Sequence, residues 1–188
     1  MVADRFMFNN GEFEDYEDMY AEFDKYLAQD LVEVEKQAEP FAIEFAKKHW
    51  NDEMHYFVGA GNQWGATYSY AMCYWEEQLW LKTKSITSNE FFHGMFEIVT
   101  KETPVTIYIG EDAQRPLSER VANFIPRICA NYTIIDSKDY ELKGISEKYR
   151  KHLSHHVMHA VNNRIDVHME IELVTQWKFD RYYRRLEY

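Results

Sequence analysis

Short β-branched segments alternate with helical segments through the middle of the chain, and this alternation constrains the fold more than any other feature. We predict strands at 55–58, 85–87, 104–110 and 131–135, and helices at 66–80, 90–100 and 115–125. Strands separated by helices of about 10–15 residues form βαβ units, which build a parallel sheet with both faces covered. The sequence therefore predicts an α/β three-layer sandwich with a mainly parallel sheet of four to five strands.

The two ends of the chain have different patterns. Residues 1–50 carry apolar side chains at helical spacing, so we expect an N-terminal helical extension that packs on the domain formed by residues 51–188. Pro40 interrupts this pattern, which predicts a kink or break with a second helix starting at Pro40. From Ser146 a long helix is predicted, with its inward positions at Leu153, Val157, Ala160, Val161, Ile165, Met169 and Leu173, followed by an aromatic and basic tail.

The composition excludes several classes of protein. The formal net charge of −11 argues against a nucleic-acid binder, which needs a basic surface. Cys73 and Cys129 have no metal-ligand spacing and are interpreted as reduced thiols of a cytoplasmic protein. No apolar run approaches about 20 residues and the N-terminus lacks a signal-like apolar region, so membrane and secreted proteins are not expected.

A carboxylate pair and a histidine flank the second predicted strand. Glu76 and Glu77 end one helical pattern, and His93 stands near the start of the next. A carboxylate and an imidazole at successive βα units can converge, and the pair suits proton transfer near neutral pH. The alternative is a half-buried helix end followed by an unrelated histidine.

The loop Gly59-x-Gly61-x-x-x-Gly65 follows the first strand. Glycines between a strand and a helix can present backbone N–H groups to an anion, or can simply permit a tight turn. A nicotinamide cofactor is not expected, because the glycine spacing differs from the dinucleotide fingerprint and no acidic residue ends the next strand. We therefore expect no cofactor.

Two further clusters are candidates. Two pairs of histidines, His152 with His156 and His155 with His159, have the four-residue spacing that lets two imidazoles share a metal ion. No third ligand follows in the sequence, so no physiological metal is predicted.

The C-terminal segment 177–188 concentrates four basic residues among aromatic ones. We interpret it as a subunit contact that brings Arg184 to an anionic group, or alternatively as a docking tail.

Several segments together resemble one family: FVGAGNQWGATYSYAMCYWEEQLW, NEFFHGMFEIV, GEDAQRPLSERVANFI, IDSKDYEL and RYYRR. From about residue 12 to residue 188 the chain is similar to the second sugar-isomerase (SIS) domain of the fructosamine-6-phosphate deglycases of the fructoselysine-6-phosphate type. The resemblance implies a SIS-type, flavodoxin-like fold. It extends to the isomerase half of glucosamine-6-phosphate synthase, in which a histidine follows a glutamate by sixteen residues, as His93 follows Glu77 here.

The resemblance implies a function. The family's catalytic pair falls on Glu77 and His93, and Glu76 does not align; we expect substrate contacts from Gly61, Asn62, Gln63 and Arg184. The implied substrate is a phosphorylated sugar, a fructosamine 6-phosphate, and the implied working unit is a dimer in which His93 reaches the partner's site. Tyr74 stands where the synthase has a lysine, which favours the deglycase branch.

Two departures from the family leave alternatives open. The family's Ser-rich phosphate loop belongs to a first SIS domain, and the loop Gly110-Glu111-Asp112 here carries carboxylates that would repel phosphate. The chain therefore resembles the catalytic half of a two-domain enzyme. The alternative is a non-catalytic phosphosugar-binding or dimerisation module.

Overall fold

A four-stranded parallel sheet forms the centre of the protein. The computed structural model describes residues 2–173, 182, 186 and 187. The strands are β1 His55–Gly59, β2 Thr83–Thr87, β3 Val105–Ile109 and β4 Tyr132–Asp136. Their order in the sheet is β2-β1-β3-β4, and all neighbours are parallel. The α/β fold predicted from the alternation is confirmed.

Eight α-helices connect or extend the described strands. They are α1 Val2–Asn9, α2 Tyr16–Glu22, α3 Ala28–His49, α4 Asn62–Ser69, α5 Met95–Ile98, α6 Arg115–Phe124, α7 Glu147–Arg150 and α8 Ser154–Glu172. In the described part of the chain, no helix has both the length and the apolar character needed to cross a membrane.

The alternation of side chains along the strands produces two separate cores. Phe57, Tyr108 and Ile135 point to the face covered by α3, α4 and α8, and their core is rich in aromatic rings. Val58 and Ile107 point to the opposite face, where α5 and α6 cover them. Because successive strand residues face opposite sides, a sheet with helices on both faces needs apolar residues at nearly every position, as β3 has.

The N-terminal helices pack on the domain mainly through α3. Its buried residues Val34, Ala38 and Ala42 belong to the same core as α8. At the rim, the guanidinium of Arg164 on α8 donates to the Glu39 carboxylate at 2.7 Å. The boundary expected at residue 50 stays a prediction.

Pro40 does not break the helix. Helix α3 runs without interruption from Ala28 to His49 through Pro40, so the prediction of a new helix at that residue is wrong. Pro40 is exposed, while the opposite face of α3 buries Val34, Ala38, Ala42 and Phe45. Packing of that face outweighs the cost of a proline in a helix, about 3 kcal/mol.

Three other helices differ from their predicted extents. Helix α4 starts at Asn62, earlier than the expected residue 66, and continues into a wider π-helical segment, Tyr70–Glu76. The segment expected as a helix from residue 90 to 100 is a 3₁₀ turn, Phe91–His93, followed by the single turn of α5, because Gly94 (φ +151°) interrupts the helical backbone. The long C-terminal helix is divided into α7 and α8, and all seven of its predicted inward positions are buried.

Candidate active site

The Glu77 side chain is exposed at the end of the π-helical segment. Its backbone N–H donates to the Met72 carbonyl at 3.1 Å, which continues the wide helical turn. Buried Trp75 and Leu79 anchor the chain on either side of it. Within the part of the chain that the structure describes, the Glu77 carboxylate makes no hydrogen bond or ion pair, so it is available to an external group.

Glu76, the other member of the carboxylate pair, has a structural partner. Its Oε1 atom accepts a hydrogen bond of 2.5 Å from the Thr83 hydroxyl at the first position of β2. This bond ties the end of the π-helical segment to the start of the strand. The structure thus separates two adjacent glutamates that sequence spacing alone does not distinguish.

His93 lies on the exposed side of the 3₁₀ turn that follows β2. Its backbone N–H donates to the Glu90 carbonyl at 2.8 Å, and the Thr87 hydroxyl donates to the Glu90 carboxylate at 3.1 Å. Phe91 is fully buried beneath the turn. No hydrogen bond holds the His93 imidazole among the described residues, so the ring is free to face a ligand or another chain.

Glu77 and His93 lie at opposite edges of the sheet. Glu77 precedes β2, and its neighbour Glu76 bonds to the strand's first residue, Thr83, whereas His93 follows the strand's last residue. Five strand residues at about 3.3 Å each separate these edges by roughly 15 Å. The chain passes through a whole strand between the two groups, so they do not adjoin within one chain, and their pairing in one catalytic site stays a prediction.

The glycine loop after β1 is occupied by a carboxylate of the protein itself. Gly61 has φ +57°, and a Cβ there would collide with the Asp112 carboxylate. Asp112 accepts hydrogen bonds from the N–H groups of Asn62 (2.9 Å) and Gln114 (2.7 Å). The backbone donor at the start of α4, where the glycine spacing left anion binding or a tight turn as alternatives, thus already has an anionic partner within the chain.

Asn62 and Gln63 point away from this carboxylate. The Asn62 side chain donates to the Lys151 carbonyl at 3.0 Å, and the buried Gln63 side chain donates to the Ser154 carbonyl at 2.8 Å. Both bonds hold the start of α4 to the segment around α8. Substrate contacts from Gly61, Asn62 and Gln63 stay a prediction, and Arg184 lies outside the described residues.

A pocket of about 500 Å³ opens beside this loop at the carboxyl edge of the sheet. Its lining includes Trp64, Thr87, Asn89 and Asp112. Parallel α/β sheets bind ligands at this edge. The pocket is polar and carries a negative charge, so it fits the sugar portion of a ligand better than a phosphate group.

The carboxylate of Glu111 and the guanidinium of Arg150 form a buried ion pair that the sequence did not reveal. Two guanidinium N–H groups donate to the Glu111 carboxylate, each at 2.8 Å, and one of them also donates to the carbonyls of Ser137 and Tyr140. Because Glu111 is neutralised internally, its charge does not face the pocket. Sequence spacing carries no signal for this pair, which is 39 residues apart.

Arg115 joins the ends of two strands. Its guanidinium donates to the Gly110 carbonyl after β3 and pairs with the Asp136 carboxylate at the end of β4. The hydrogen bonds with Asp136 raise the pKa of Arg115 above its ordinary value. The RPL motif thus fixes the loop after β3 rather than presenting a free cation.

A buried His-Asp-His cluster lies at the opposite edge of the sheet. Asp52 Oδ2 accepts hydrogen bonds from the Nδ1 atoms of His49 (2.7 Å) and His55 (2.8 Å), and His55 Nε2 contacts the Thr106 hydroxyl at 2.8 Å. Burial lowers the pKa of His55 to about 4, so the ring is neutral at pH 7. The three residues hold potential ligand atoms within 4.8 Å of one another. Hydrogen bonds use Asp52 Oδ2 and both ring nitrogens of His55, while the buried His49 Nε2 has no partner among the described residues.

Comparison with known sequences finds relatives that are all named as deglycases. No protein-family model matches the chain. The fructosamine deglycase FrlB of Bacillus subtilis is 32% identical over 126 residues, which are 67% of this chain and 38% of the deglycase. A fructoselysine 6-phosphate deglycase of Escherichia coli O157:H7 is 28% identical over 109 residues, 52% of this chain and 32% of that enzyme. The chain therefore spans well under half the length of these relatives.

Solved structures give the same fold. A candidate phosphosugar isomerase from Bacillus subtilis matches with a TM-score of 0.81 and 29% identity over 86% of this chain and 49% of that one. One from Salmonella typhimurium matches with a TM-score of 0.92 over all of this chain and 57% of that one, at 22% identity. The C-terminal domain of glucosamine-fructose-6-phosphate aminotransferase from Francisella tularensis has a TM-score of 0.62 over 78% of this chain and 43% of that one, at 11% identity. Sequence and fold together identify the chain as a relative of the fructosamine and fructoselysine 6-phosphate deglycases that has the α/β fold of the sugar isomerases (SIS).

Proposed function

We propose that this chain is the catalytic half of a deglycase that acts on an Amadori 6-phosphate, a sugar phosphate with an amine at C1. The relation to FrlB supports the reaction class. The observation that carries the proposal is the exposed Glu77 carboxylate, which is held in place by buried neighbours and has no partner in the described part of the chain.

The proposed chemistry consists of proton transfers and one hydrolysis. His93 moves the proton of the ring oxygen and so opens the sugar ring. Glu77 removes a proton from C1 to form an enaminol and returns a proton at C2, which gives a C1 imine. Water then adds to the imine carbon, and the C1–N bond breaks to release glucose 6-phosphate and the free amine. These steps balance without a redox partner.

The opposite positions of Glu77 and His93 support a site shared between two chains. The distance across the strand prevents one subunit from supplying both groups to one substrate. In a symmetric dimer, Glu77 of one subunit meets His93 of its partner. We expect this dimer to work in the cytoplasm.

The phosphate group requires a second source of binding. The loop after β3 offers Asp112, and the amide of Asn62 already donates to it. We therefore infer that a first SIS domain, supplied within a longer chain or by another protein, holds the phosphate.

The decisive experiment is an assay with fructoselysine 6-phosphate. The purified chain is incubated with this substrate alone and with a separately produced first SIS domain, and glucose 6-phosphate is measured. Turnover in either reaction, lost in Glu77→Gln but retained in Glu76→Gln, supports the proposal; near-normal turnover by Glu77→Gln overturns it. Matching circular dichroism spectra of the two variants serve as the folding control.

A non-catalytic module is the second candidate, and the missing phosphate loop favours it. Such a module would bind the sugar phosphate or dimerise without turnover. It predicts that no reaction occurs in either mixture, while the substrate still protects the chain against thermal unfolding.

A further inference from the structure

A second pocket, separate from the carboxylate and histidine of the proposed reaction, contains four imidazoles. Its volume is about 730 Å³, and its lining consists of Asp4, Asn62, Gly65, Ala66, His152, His155, His156 and His159. We call it the histidine pocket. It lies where the start of α4 meets the start of α8, with α1 contributing Asp4.

Three of the four histidines lie in the first two turns of α8, and His152 lies in the turn just before that helix. His155 and His159 are four residues apart, so their side chains share one side of α8. His155 and His156 already have ring centroids only 3.9 Å apart. All four rings line the same pocket.

Two of these imidazoles have a ring nitrogen that is open to a ligand. His152 Nε2 and His156 Nδ1 are buried and have no hydrogen-bond partner among the described residues. A neutral ring nitrogen without a partner offers a lone pair to a cation.

A carboxylate completes the set of ligand types. Asp4 Oδ1 lies 3.9 Å from His152 Nδ1, and the Phe13 ring stacks on the His152 ring. The sequence alone pairs the histidines but supplies no third ligand, because Asp4 is almost 150 residues away from them. The fold brings it to the same pocket.

We propose that the histidine pocket binds a divalent transition-metal ion through imidazole nitrogens of the four histidines and the carboxylate of Asp4. Borderline cations such as Zn²⁺, Co²⁺ and Ni²⁺ prefer this mixture of nitrogen and carboxylate ligands. The His49-Asp52-His55 cluster is a separate group, in which the two imidazoles are fully buried and hydrogen bonds with Asp52 and Thr106 use both Nδ1 atoms and His55 Nε2.

Binding requires small side-chain movements. In the described ranges, only His49, Asp52 and His55 already have three ligand atoms within 4.8 Å of one another. The exposed rings of His155 and His159 can turn about χ1 towards the pocket. The metal would also connect α1 to α8, and α1 has no buried residue of its own.

The binding test uses the chain without an affinity tag, first stripped with a chelator. Co²⁺ is added while its visible absorbance is recorded, and Zn²⁺ is titrated by calorimetry. We expect one ion per chain, and at least tenfold weaker binding in the His155→Ala/His159→Ala double variant. His168→Gln, outside the pocket, should bind as the wild type does. The absence of saturable binding, or equal affinity in the double variant, overturns the proposal.

A second readout tests the role of Asp4. Trypsin cleaves after Arg5 in α1, and mass spectrometry follows loss of the first five residues. Saturating Zn²⁺ should slow this cleavage at least fivefold in the wild type and not in Asp4→Asn. Equal protection of both proteins would overturn the assignment of Asp4. Glu77→Gln should bind the ion normally, so this test is independent of the proposed reaction.

Discussion

The buried ion pair between Arg150 and Glu111 determines the charge and the position of the loop after β3. Both side chains are more than nine-tenths buried, and the guanidinium makes two further bonds to backbone carbonyls. Removing one member of such a pair leaves a buried charge without compensation. The pair holds the loop after β3 against the start of α8, where the Ser154 hydroxyl accepts from the Glu111 N–H at 2.8 Å.

We expect Arg150→Met to lower the free energy of unfolding by about 3–5 kcal/mol, because the Glu111 carboxylate then remains buried and unpaired. The double variant Arg150→Met/Glu111→Leu should lose less than the single variant, since both charges are gone. Urea denaturation followed by tryptophan fluorescence measures both. The exposed pair Lys143 and Glu141 provides the control, and Lys143→Met should change stability by under about 0.5 kcal/mol.

At the scale of elements, the π-helical segment that ends beside Glu77 is joined to α8 through a partly buried carboxyl group. The Tyr70 hydroxyl, at the first residue of that segment, donates to Asp166 Oδ1 at 2.7 Å. Burial raises the pKa of Asp166 to about 7, and the charge of Glu170 acts in the same direction. The carboxyl group therefore titrates near neutral pH while the unfolded chain releases its proton near pH 4.

The sign of the pH dependence follows from this difference. Between about pH 4 and pH 7 the folded chain holds a proton at Asp166 that the unfolded chain has lost, so this group contributes less to stability as the pH rises. We expect Asp166→Asn, which keeps the acceptor for Tyr70, to be more stable than the wild type by roughly 2–4 kcal/mol at pH 8. At pH 4 the two proteins should be equal within error.

Urea denaturation at pH 4 and pH 8 tests this expectation. Glu172→Gln, exposed on the same helix and not among the groups that shift the Asp166 pKa, is the matched control, and its stability relative to the wild type should differ much less between the two pH values. An Asp166→Asn variant that is no more stable than the wild type at pH 8 would contradict a raised pKa for Asp166.

Helix α3 gives a second prediction at this scale. We expect Pro40→Ala to raise the free energy of unfolding by about 1–3 kcal/mol, because alanine restores the missing backbone donor and removes the ring's clash with the preceding turn. Thermal unfolding monitored by circular dichroism measures the gain. Glu44→Ala, an exposed substitution one turn later, controls for a general effect of alanine, and a Pro40→Ala variant that loses stability would contradict this account.

The sequence correctly predicted those strands and helices whose apolar pattern lies within a single short segment. The strands β1, β3 and β4 are short runs rich in apolar or β-branched residues, and β2 carries Ile86 among polar and β-branched residues. The inward face of α8 follows helical periodicity, so the strands and this face were correctly predicted. The predicted break at Pro40 was wrong because tertiary packing decides there. The predicted single helix from residue 90 was wrong because Gly94 changes the backbone direction, which periodicity does not register.

Less of the candidate site than of the fold could be predicted from the sequence. The resemblance distinguishes Glu77 from Glu76, and the structure supplies a physical reason in the Thr83 bond. The occupation of the Asn62 amide by Asp112, and the pairing of Glu111 with Arg150, depend on contacts between residues 39–50 positions apart. Such pairings are set by the fold, and no local pattern encodes them.

For the whole molecule, the proposed dimer can be tested without a structure of the assembly. Glu77 and His93 lie at opposite ends of β2, so each proposed site takes one of these residues from each subunit. Glu77→Gln and His93→Ala homodimers should each be inactive. After subunit exchange, half of the dimers are mixed, and one of the two sites in each mixed dimer has both native groups. We therefore expect about a quarter of the wild-type activity to return.

The control for this experiment is a mixture of Glu77→Gln with a Glu77→Gln/His93→Ala double variant. No combination of these chains contains an intact site, so no activity should return. If the two single variants also fail to recover activity after proven exchange, the site does not combine Glu77 and His93 from different subunits.

The packing of α3 on α8 also affects how the protein folds while it is being synthesised. These helices are among the first and last described elements, and their residues Glu39 and Arg164 are 125 positions apart. During synthesis, the apolar side of α3 emerges early and stays without its cover until α8 leaves the ribosome. Contacts between such distant segments slow folding and prolong the exposure of apolar surface. We therefore expect chaperones that recognise extended apolar stretches to bind the nascent chain at residues 31–45.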